Sequence, residues 1–202
     1  MERVEDPKSI AEKSDDELIL QVQEGDRRSY DLLVKRYQRR IYFLALRMAR
    51  DHDAADDIGQ ETFVRAYLAI GTFTIGRNFY TWLYRICINL SINHLKRRKF
   101  VVQASEISDE WDPLEKEAGG TDPSDTLISK ETTAKVESAI DSLSPKHKAV
   151  LVLRVYEDMS YEDIARTLDI SIGTVMSRLF RARQKMLEII EKVEKKNLIY
   201  HD

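Results

Sequence analysis

The chain has 202 residues, of which 43% are hydrophobic and 33% are charged, and its formal net charge is −3. This length suits one large domain or two small ones, and seven Gly and four Pro favour helices over a turn-rich β fold. A single cysteine, Cys87, excludes an intrachain disulfide. No apolar run approaches the roughly 18 residues of a membrane span. No such run follows the charged N-terminus, so we expect no signal peptide and a cytoplasmic protein.

The first half of the chain carries helical periodicity. Ser14 and Glu17 form a capping-box pattern that predicts a helix start, and the pair Gly25–Asp26 predicts an interruption. Acidic residues in "DHDAADD" are typical of a helix N-terminus, and two glycines in "GTFTIGRN" predict a loop. The helices expected from these signals and from apolar spacing are 14–24, 27–50, 51–70 and 79–99.

The composition changes after the fourth predicted helix. From Ala104 to Asp141 there are eleven acids and only three lysines, with "GGTDPSD" in the middle. Such a segment predicts a poorly ordered tether. We therefore expect an all-α protein with two small helical domains, at 14–100 and 127–195, joined by a flexible acidic linker at 101–126.

The C-terminal part predicts three further helices. In "LSPKHKAVLVLRVYEDM", Ser144 is the expected N-cap and Pro145 the first helical residue. The short helix "SYEDIARTLDI" and the longer helix "SIGTVMSRLFRARQKMLEII" follow, separated by a three-residue turn. The residues expected to face inward are Val150, Leu151, Leu153 and Val155 in the first helix and Ile164, Ala165 and Leu168 in the second.

A short helix, a tight turn and a longer basic helix form the helix-turn-helix pattern of DNA-binding proteins. Ala165 is small where the helices approach each other, and Ser171 is placed to cap the second helix. Between Ser171 and Leu187 there are four cations and no acid. The alternative is an amphipathic bundle helix with solvated arginines. The agreement of the first helix, the turn and the cap favours DNA binding.

The segment "SPKHKAVLVLRVYEDMSYEDIARTLDISIGTVMSRLFRARQKM" resembles the C-terminal domain of the extracytoplasmic function (ECF) sigma factors, group IV of the sigma-70 family of bacterial RNA polymerase subunits. The diagnostic run is "IGTVMSRLFRAR". The resemblance implies that the second helix reads the −35 promoter element. That family usually carries Lys or Arg at the position of Met176, so the −35 preference stays open. The implied −35 contacts are Ser171, Gly173, Thr174, Met176, Ser177, Arg178, Phe180, Arg181 and Arg183.

The N-terminal half resembles the same family across "GDRRSYDLLVKRYQRRIYFLALRMARDHDAADDIGQETFVRAYLAIGTF". The acids in "AADDIGQETFVRAY" recur at helical spacing. They either only complement the helix dipole near its N-terminus, or they form a surface on which another protein docks. The resemblance implies docking on core RNA polymerase, whose β′ clamp helices and β flap are the expected partners. The implied polymerase contacts are Asp56, Asp57, Gln60, Glu61 and Phe63.

The stretch "FYTWLYRICINLSINHLKRRK" belongs to a region without an acid from Arg77 to Lys99. Trp82, Leu83 and Ile86 are expected to pack in a core, whereas the positions of Phe79 and Tyr80 stay open between core and surface. The resemblance implies that this helix and the loop 73–78 read the −10 element as a melted single strand, with one base flipped into a pocket. The implied −10 contacts are Phe73, Arg77, Asn78, Phe79, Tyr80, Arg85, Asn89, Lys96, Arg97 and Arg98.

These patterns predict a sigma factor that directs promoter-specific transcription initiation, monomeric when free and controlled by an anti-sigma factor. The alternative is a free-standing regulator that binds a palindromic site as a dimer. No Gly-rich phosphate loop or nucleophile elbow is present, and the four histidines lack metal-ligand spacing. We therefore expect no enzyme activity, no cofactor and no metal. Cys87 lies on the predicted apolar stripe, which favours a buried structural thiol.

Overall fold

The computed structural model describes residues 13–105 and 136–199, with side chains described at 13–98 and 136–191. All regular structure within these ranges is helical, which confirms the predicted all-α class. The chain divides into two compact units, with a boundary at His94. The helices are α1 (Asp15–Gln23), α2 (Arg27–Ala49), α3 (His52–Ala69), α4 (Phe79–Ser105), α5 (Pro145–Val155), α6 (Tyr161–Leu168) and α7 (Ile172–Ile199).

The first two helices begin at capping residues, of which Ser14 was predicted and Asp26 was not. The Ser14 amide donates to Glu17 Oε2 over 2.7 Å, and the Glu17 amide donates back to Ser14 Oγ over 3.3 Å. These hydrogen bonds lower the pKa of the Glu17 carboxyl. Gly25 adopts φ +105° after α1, and Asp26 caps α2 by accepting from the Arg28 amide over 3.0 Å. Both helix starts are therefore set by local side chains.

The core of the first unit lies between α1, α2, α3 and α4. Thr62, on the inward face of α3, donates its hydroxyl to the Ile58 carbonyl over 2.7 Å, so it is buried without an unpaired hydroxyl. Cys87 is fully buried, as predicted, with its Sγ 3.8 Å from the Ile41 carbonyl oxygen. Fully buried side chains in this core include Leu18, Ile19, Leu33, Ile41, Leu44, Met48, Leu83, Tyr84 and Ile88.

Two boundaries in the first unit differ from the predicted ones. A 3-10 turn, Ile70–Thr72, occupies the start of the predicted loop, so the irregular segment is 73–78. Helix α4 continues to Ser105 instead of ending near Lys99. Most of the predicted acidic linker lies outside the described residues.

The described C-terminal range starts with a helical segment at 136–141; the predicted start of the second domain, at 127, lies outside the described residues. Ser144 caps α5 and Pro145 is its first residue, as predicted. The inward set of α5 is corrected at one position. Val155 is 60% exposed, because it is the last residue of the helix and the core does not cover it, whereas Val152 is fully buried.

The short helix α6 is capped at both ends. The Asp163 amide donates to Ser160 Oγ over 3.0 Å, and Asp169 adopts φ +54° just after the last turn. Ile164 and Ala165 are buried as predicted, but Leu168, the last helical residue, is only half-buried. Thr167, the residue before it, is fully buried.

Candidate nucleic-acid interface

Helix α7 separates a buried face from an exposed one. Val175, Leu179 and Ala182 are 0%, 2% and 0% exposed, at steps of four and three residues that keep them on one side of the helix. The opposite side carries Met176 and Phe180, which are 54% and 61% exposed. Among the predicted −35 contacts, the structure exposes Ser171, Gly173, Met176, Ser177, Phe180, Arg181 and Arg183 and half-buries Thr174 and Arg178.

The turn before α7 presents the start of this helix to solvent. The Ile170 amide donates to the Ala165 carbonyl over 3.0 Å, which closes α6. Ser171 Oγ accepts from the Thr174 amide over 3.2 Å, so Ser171 is the N-cap, as predicted. An exposed helix start with small polar residues and flanking arginines has the size and chemistry to enter a major groove.

His147, on α5, is a neighbour of this basic helix that the sequence did not indicate. Burial lowers the pKa of its imidazole, and the charges of Arg181 and Arg178 lower it further. The neutral form is therefore favoured. A DNA phosphate near the same arginines would offset their effect, because opposite charge favours the protonated imidazole.

Helix α4 also has one polar and one buried face. Leu83, Tyr84, Cys87 and Ile88 are fully buried. The outward side is exposed at every predicted basic or amide position of the helix. Because no acid interrupts this side between Arg77 and Lys99, it is an acid-free polar surface suited to a polyanion. The exposed positions are Arg85, Asn89, Lys96, Arg97 and Arg98.

The aromatic residues at the start of α4 correct part of the predicted −10 site. Phe73 and Phe79 are 7% and 3% exposed, because their rings pack on each other with centroids 5.7 Å apart. Trp82 contacts both, at 5.2 Å and 5.6 Å, and Tyr37 contacts Phe79 at 5.6 Å. Phe73 and Phe79 therefore have no open face for base stacking. Leu83 is fully buried as expected, whereas Trp82, Tyr80 and Ile86 are half-buried.

The loop 73–78 reverses direction within a short span. The Arg77 amide donates to the Thr74 carbonyl over 3.2 Å, and Gly76 adopts φ +82°, a conformation that side chains disfavour. Asn78 caps α4, since its Oδ1 accepts from the Thr81 amide over 3.2 Å. The side chains of Arg77 and Asn78 are exposed. Asn78 thus has a structural role besides the predicted DNA contact.

An open cleft of about 680 Å³ lies beside this loop. Two arginines of α2, Arg36 and Arg40, form part of its wall. Asp15 accepts hydrogen bonds from Arg36 and from the Tyr37 hydroxyl, and burial together with this carboxylate raises the pKa of Tyr37. The remaining lining residues are Ser14, Asp16, Gly76, Arg77, Asn78, Phe79 and Tyr80.

Helix α3 carries the predicted polymerase contacts on its outward side. Ile58, Thr62 and Ala66 face the core with 6%, 0% and 0% exposure. Glu61 forms a 2.6 Å ion pair with Arg65. The predicted contacts that are exposed are Asp56, Asp57, Gln60 and Glu61, whereas Phe63 is half-buried and its carbonyl accepts from the Tyr30 hydroxyl.

The same helix exposes apolar residues that sequence reasoning missed. Val64 and Leu68 are 54% and 79% exposed, and they follow Asp57 and Glu61 at helical spacing on the same side. The only signal in the sequence was this spacing, which is also compatible with burial. On α7, Leu187 extends the exposed apolar side beyond Phe180, with 60% exposure.

The described part of the chain has neither a membrane-spanning helix nor a metal site. No described helix is long and apolar enough to cross a membrane. Among the described residues, no group of three or more His, Cys, Asp or Glu side chains could hold a metal ion.

Comparison with known proteins defines the class first. Residues 33–101 match the sigma-70 region 2 family, and residues 133–186 match the sigma-70 region 4 family. One match lies in the N-terminal part of the chain and the other in the C-terminal part. The protein is therefore a transcription regulator of the sigma-70 type, whose members bind RNA polymerase and promoter DNA.

Individual relatives identify the subgroup of the sigma-70 family. The chain is 38% identical over 179 residues to the RNA polymerase sigma-H factor of Pseudomonas aeruginosa, with 87% of this chain and 93% of that protein covered. It is 35% identical to the ECF RNA polymerase sigma factor SigW of Bacillus subtilis, with coverage of 83% and 92%. The chain belongs to the ECF sigma factors of the sigma-70 family, and it directs promoter-specific transcription initiation as a subunit of RNA polymerase.

A solved structure shares the fold. The sigma factor RpoE of Bartonella quintana, in complex with the anti-sigma factor NepR, superposes with a TM-score of 0.60 at 23% identity. The match covers 80% of this chain and 96% of that one. At this level of identity the likeness describes the helical architecture.

Proposed function

We propose that this sigma factor reads its promoter with two separate surfaces, the outer side of α4 with loop 73–78 and the exposed side of α7. The observation that carries the proposal is the exposure pattern of α4. Its apolar side is buried, while its other side is exposed and free of acids from Arg77 to Lys99. A purely structural helix would mix charges on its exposed side.

The −10 element is read as a melted single strand by the N-terminal domain, residues 14–100. Arg77, Arg85, Lys96, Arg97 and Arg98 bind phosphates of this strand. Tyr80, Asn78 and Asn89 meet the unstacked bases, because a flipped base offers both a ring face and a hydrogen-bonding edge. Phe73 and Phe79 support the loop from below, since their rings are buried.

The −35 element is read as duplex by the C-terminal domain, residues 127–195. The N-terminal part of α7 enters the major groove, and its cap residues Ser171 and Thr174 approach the backbone. Arg178, Arg181 and Arg183 bind phosphates or base edges. Gly173 and Ser177 allow close approach, and Met176 and Phe180 contact thymine methyl groups.

Core polymerase is bound through the outward side of α3. Asp56, Asp57, Gln60 and Glu61 face basic residues of the β′ clamp helices, and Val64 and Leu68 add an apolar contact beside them. The C-terminal domain meets the β flap. Mixed acidic and apolar character supports this assignment, since complementary charge steers encounter while buried apolar area holds the complex.

The protein acts in the cytoplasm, where its polymerase acts, and it has no catalytic activity of its own. An anti-sigma factor covers the same surfaces when the regulon is silent. Support for this last point comes from the structurally similar RpoE, which was solved with the anti-sigma factor NepR. The acidic segment that follows α4, up to residue 126, lets the two domains rearrange between the inhibited and the polymerase-bound states.

The test is run-off transcription on genomic fragments with core polymerase, with and without this chain. Promoter-specific transcripts are expected only when both are present. Tight dimeric binding to a palindromic duplex without polymerase would instead favour a free-standing regulator. A chain that yields no specific transcript on any genomic template would contradict the proposed function.

A further inference from the structure

The loop 73–78 is held by α1, an element to which the sequence assigned only a structural role. Gln23, the last residue of α1, donates from Nε2 to the Ile70 carbonyl over 2.8 Å and to the Phe73 carbonyl over 2.9 Å. Asp16, in the first turn of α1, accepts from the Gly76 amide over 3.3 Å. The two ends of α1 therefore hold the entry and the apex of one loop.

Helix α1 is a firm support. Leu18 and Ile19 are fully buried, and the capping box at Ser14 closes the N-terminal turn. Asp15 adds hydrogen bonds to Arg36 and Tyr37 of α2. Motion of α1 relative to α2 would break these contacts. Helix α1 is therefore fixed to the core, and the loop is hydrogen-bonded to a rigid element.

The loop has little packing of its own between its ends. Every residue from 74 to 78 is exposed, and the Arg77–Thr74 hydrogen bond closes only a local turn. Exposed segments with few apolar contacts sample many conformations unless they are hydrogen-bonded to something rigid. Gln23 supplies two such bonds at the point where the loop leaves the 3-10 turn.

We propose that Gln23 is a positioning residue for −10 recognition, which sets the loop in its DNA-reading conformation before DNA arrives. This inference rests on the proposed role of the loop in reading the −10 strand. A preorganised loop loses less conformational freedom on binding, so it binds the correct sequence more tightly. Gln23 itself touches no DNA and acts through the Ile70 and Phe73 carbonyls.

The variant Gln23→Glu tests the proposal, because a carboxylate has nearly the same shape but no hydrogen to donate and repels both carbonyls. Gln21→Glu is the matched control on the same helix. Among the described residues, Gln21 bonds through its Oε1, which accepts from Ser29 Oγ over 2.7 Å and from Lys13 Nζ over 3.3 Å. A carboxylate at Gln21 keeps these acceptor positions. It also places a negative charge near Ser29, whose Oγ lies 2.8 Å from Asp26 Oδ2 as well, so this control carries the added charge without removing a bond to the loop.

The measurement is the affinity of the holoenzyme for two forked DNA molecules. One carries the −10 strand of a promoter found by run-off transcription, and the other carries a scrambled −10 strand. Gln23→Glu is expected to lower the preference for the native strand about tenfold, as the loss of two hydrogen bonds implies. Gln21→Glu is expected to keep the wild-type preference. Affinity for core polymerase and for −35 duplex should stay the same in both variants.

A Gln23→Glu protein with the wild-type preference overturns the positioning role. If Gln23→Glu also loses core binding, which indicates general damage, Gln23→Met decides, because it removes both donated hydrogen bonds without adding a charge. A several-fold loss of preference in Gln23→Met supports the proposal, and an unchanged preference overturns it. A wild-type holoenzyme that does not distinguish the two strands contradicts instead the proposed function of the loop.

Discussion

Lys148 and Asp141 form an ion pair whose ends lie in different environments. The Lys148 side chain is 3% exposed and the Asp141 side chain 43%, with Nζ and Oδ1 2.7 Å apart. Asp141→Ala leaves a buried ammonium without this carboxylate, so we expect a loss of about 1–3 kcal/mol in unfolding free energy. Lys148→Met removes the charge and keeps an apolar stem, so its cost should be smaller.

Urea unfolding of the full chain, followed by hydrogen exchange at α5 and α7, measures both variants. Exchange at α1 and α2 serves as an internal reference for the first unit. Equal destabilisation by Asp141→Ala and Lys148→Met would contradict the expectation that an unpaired buried ammonium costs more than its removal.

The stability of the second unit should depend on pH through His147. Its pKa is lowered from the ordinary value of 6.5, first by burial and then by Arg181 and Arg178. Above pH 6.5 the imidazole is neutral in both folded and unfolded chains. As pH falls below 6.5, the unfolded chain takes up a proton that the folded chain resists, so stability decreases. His147→Gln removes this contribution.

The check is hydrogen exchange at α5 between pH 7.5 and 5.5, corrected for the intrinsic exchange rate, in wild type and His147→Gln. The difference between the two proteins isolates His147 from other titrating groups. A wild type that gains stability relative to His147→Gln on acidification would show the opposite sign.

Two valines of α5 should respond differently to truncation. Val152 is fully buried and Val155 is 60% exposed. Val152→Ala is expected to cost about 2 kcal/mol, because buried methyl groups are lost and a cavity remains. Val155→Ala should change stability by less than about 0.5 kcal/mol. Equilibrium unfolding of both variants decides whether α5 packs in the register described above.

Core polymerase binding should have separable charged and apolar contributions from α3. Asp56→Asn with Asp57→Asn is expected to weaken binding at low salt and less so at high salt, because salt screens exposed charges. Leu68→Ser should weaken binding at all salt concentrations. The measurement is a titration of core polymerase at several ionic strengths.

Matched controls exist for both changes. Asp31→Asn removes an exposed acid from α2, and Leu20→Ser removes a 48% exposed leucine from α1. Neither should alter polymerase affinity. If the Leu68→Ser protein binds core polymerase with wild-type affinity, Leu68 is not part of the docking surface.

Met176 offers a gain-of-affinity test on α7, because an apolar side chain occupies an exposed position of this basic helix. Met176→Arg is expected to raise holoenzyme affinity for −35 duplex and to steepen the salt dependence by about one unit, because one more phosphate is neutralised. Arg181→Ala should make the salt dependence of −35 binding shallower by about the same amount. Gln184→Ala, at an exposed polar position of the same helix, should leave it unchanged.

Much of the fold can be predicted from short-range signals in the sequence. Ser14 and Ser144 start the helices that they were expected to start, because a cap involves residues only two or three positions apart. The three-residue turn of the helix-turn-helix and its Ser171 cap follow for the same reason. The acid-free run before Lys99 likewise needs no structure to be seen.

The limits of prediction lie at helix ends and among the aromatic residues. Val155 and Leu168 continue apolar stripes in the sequence, but each is the last residue of its helix and lies past the cover of the core. Phe73 and Phe79 have the composition of a base-stacking site. They are buried because Trp82 and Tyr37 pack on them, and no local pattern shows that pairing.

The sequence by itself determined the all-α class, several helix starts and the helix-turn-helix pattern, since periodicity, capping and charge act over one or two helical turns. Only the tertiary structure decided which side chains those elements present and what holds them. Gln23 meets the Phe73 carbonyl across 50 positions of the chain. Such a contact depends on how α1 packs beside the loop, and this packing is the sum of many weak apolar contacts distributed over three helices.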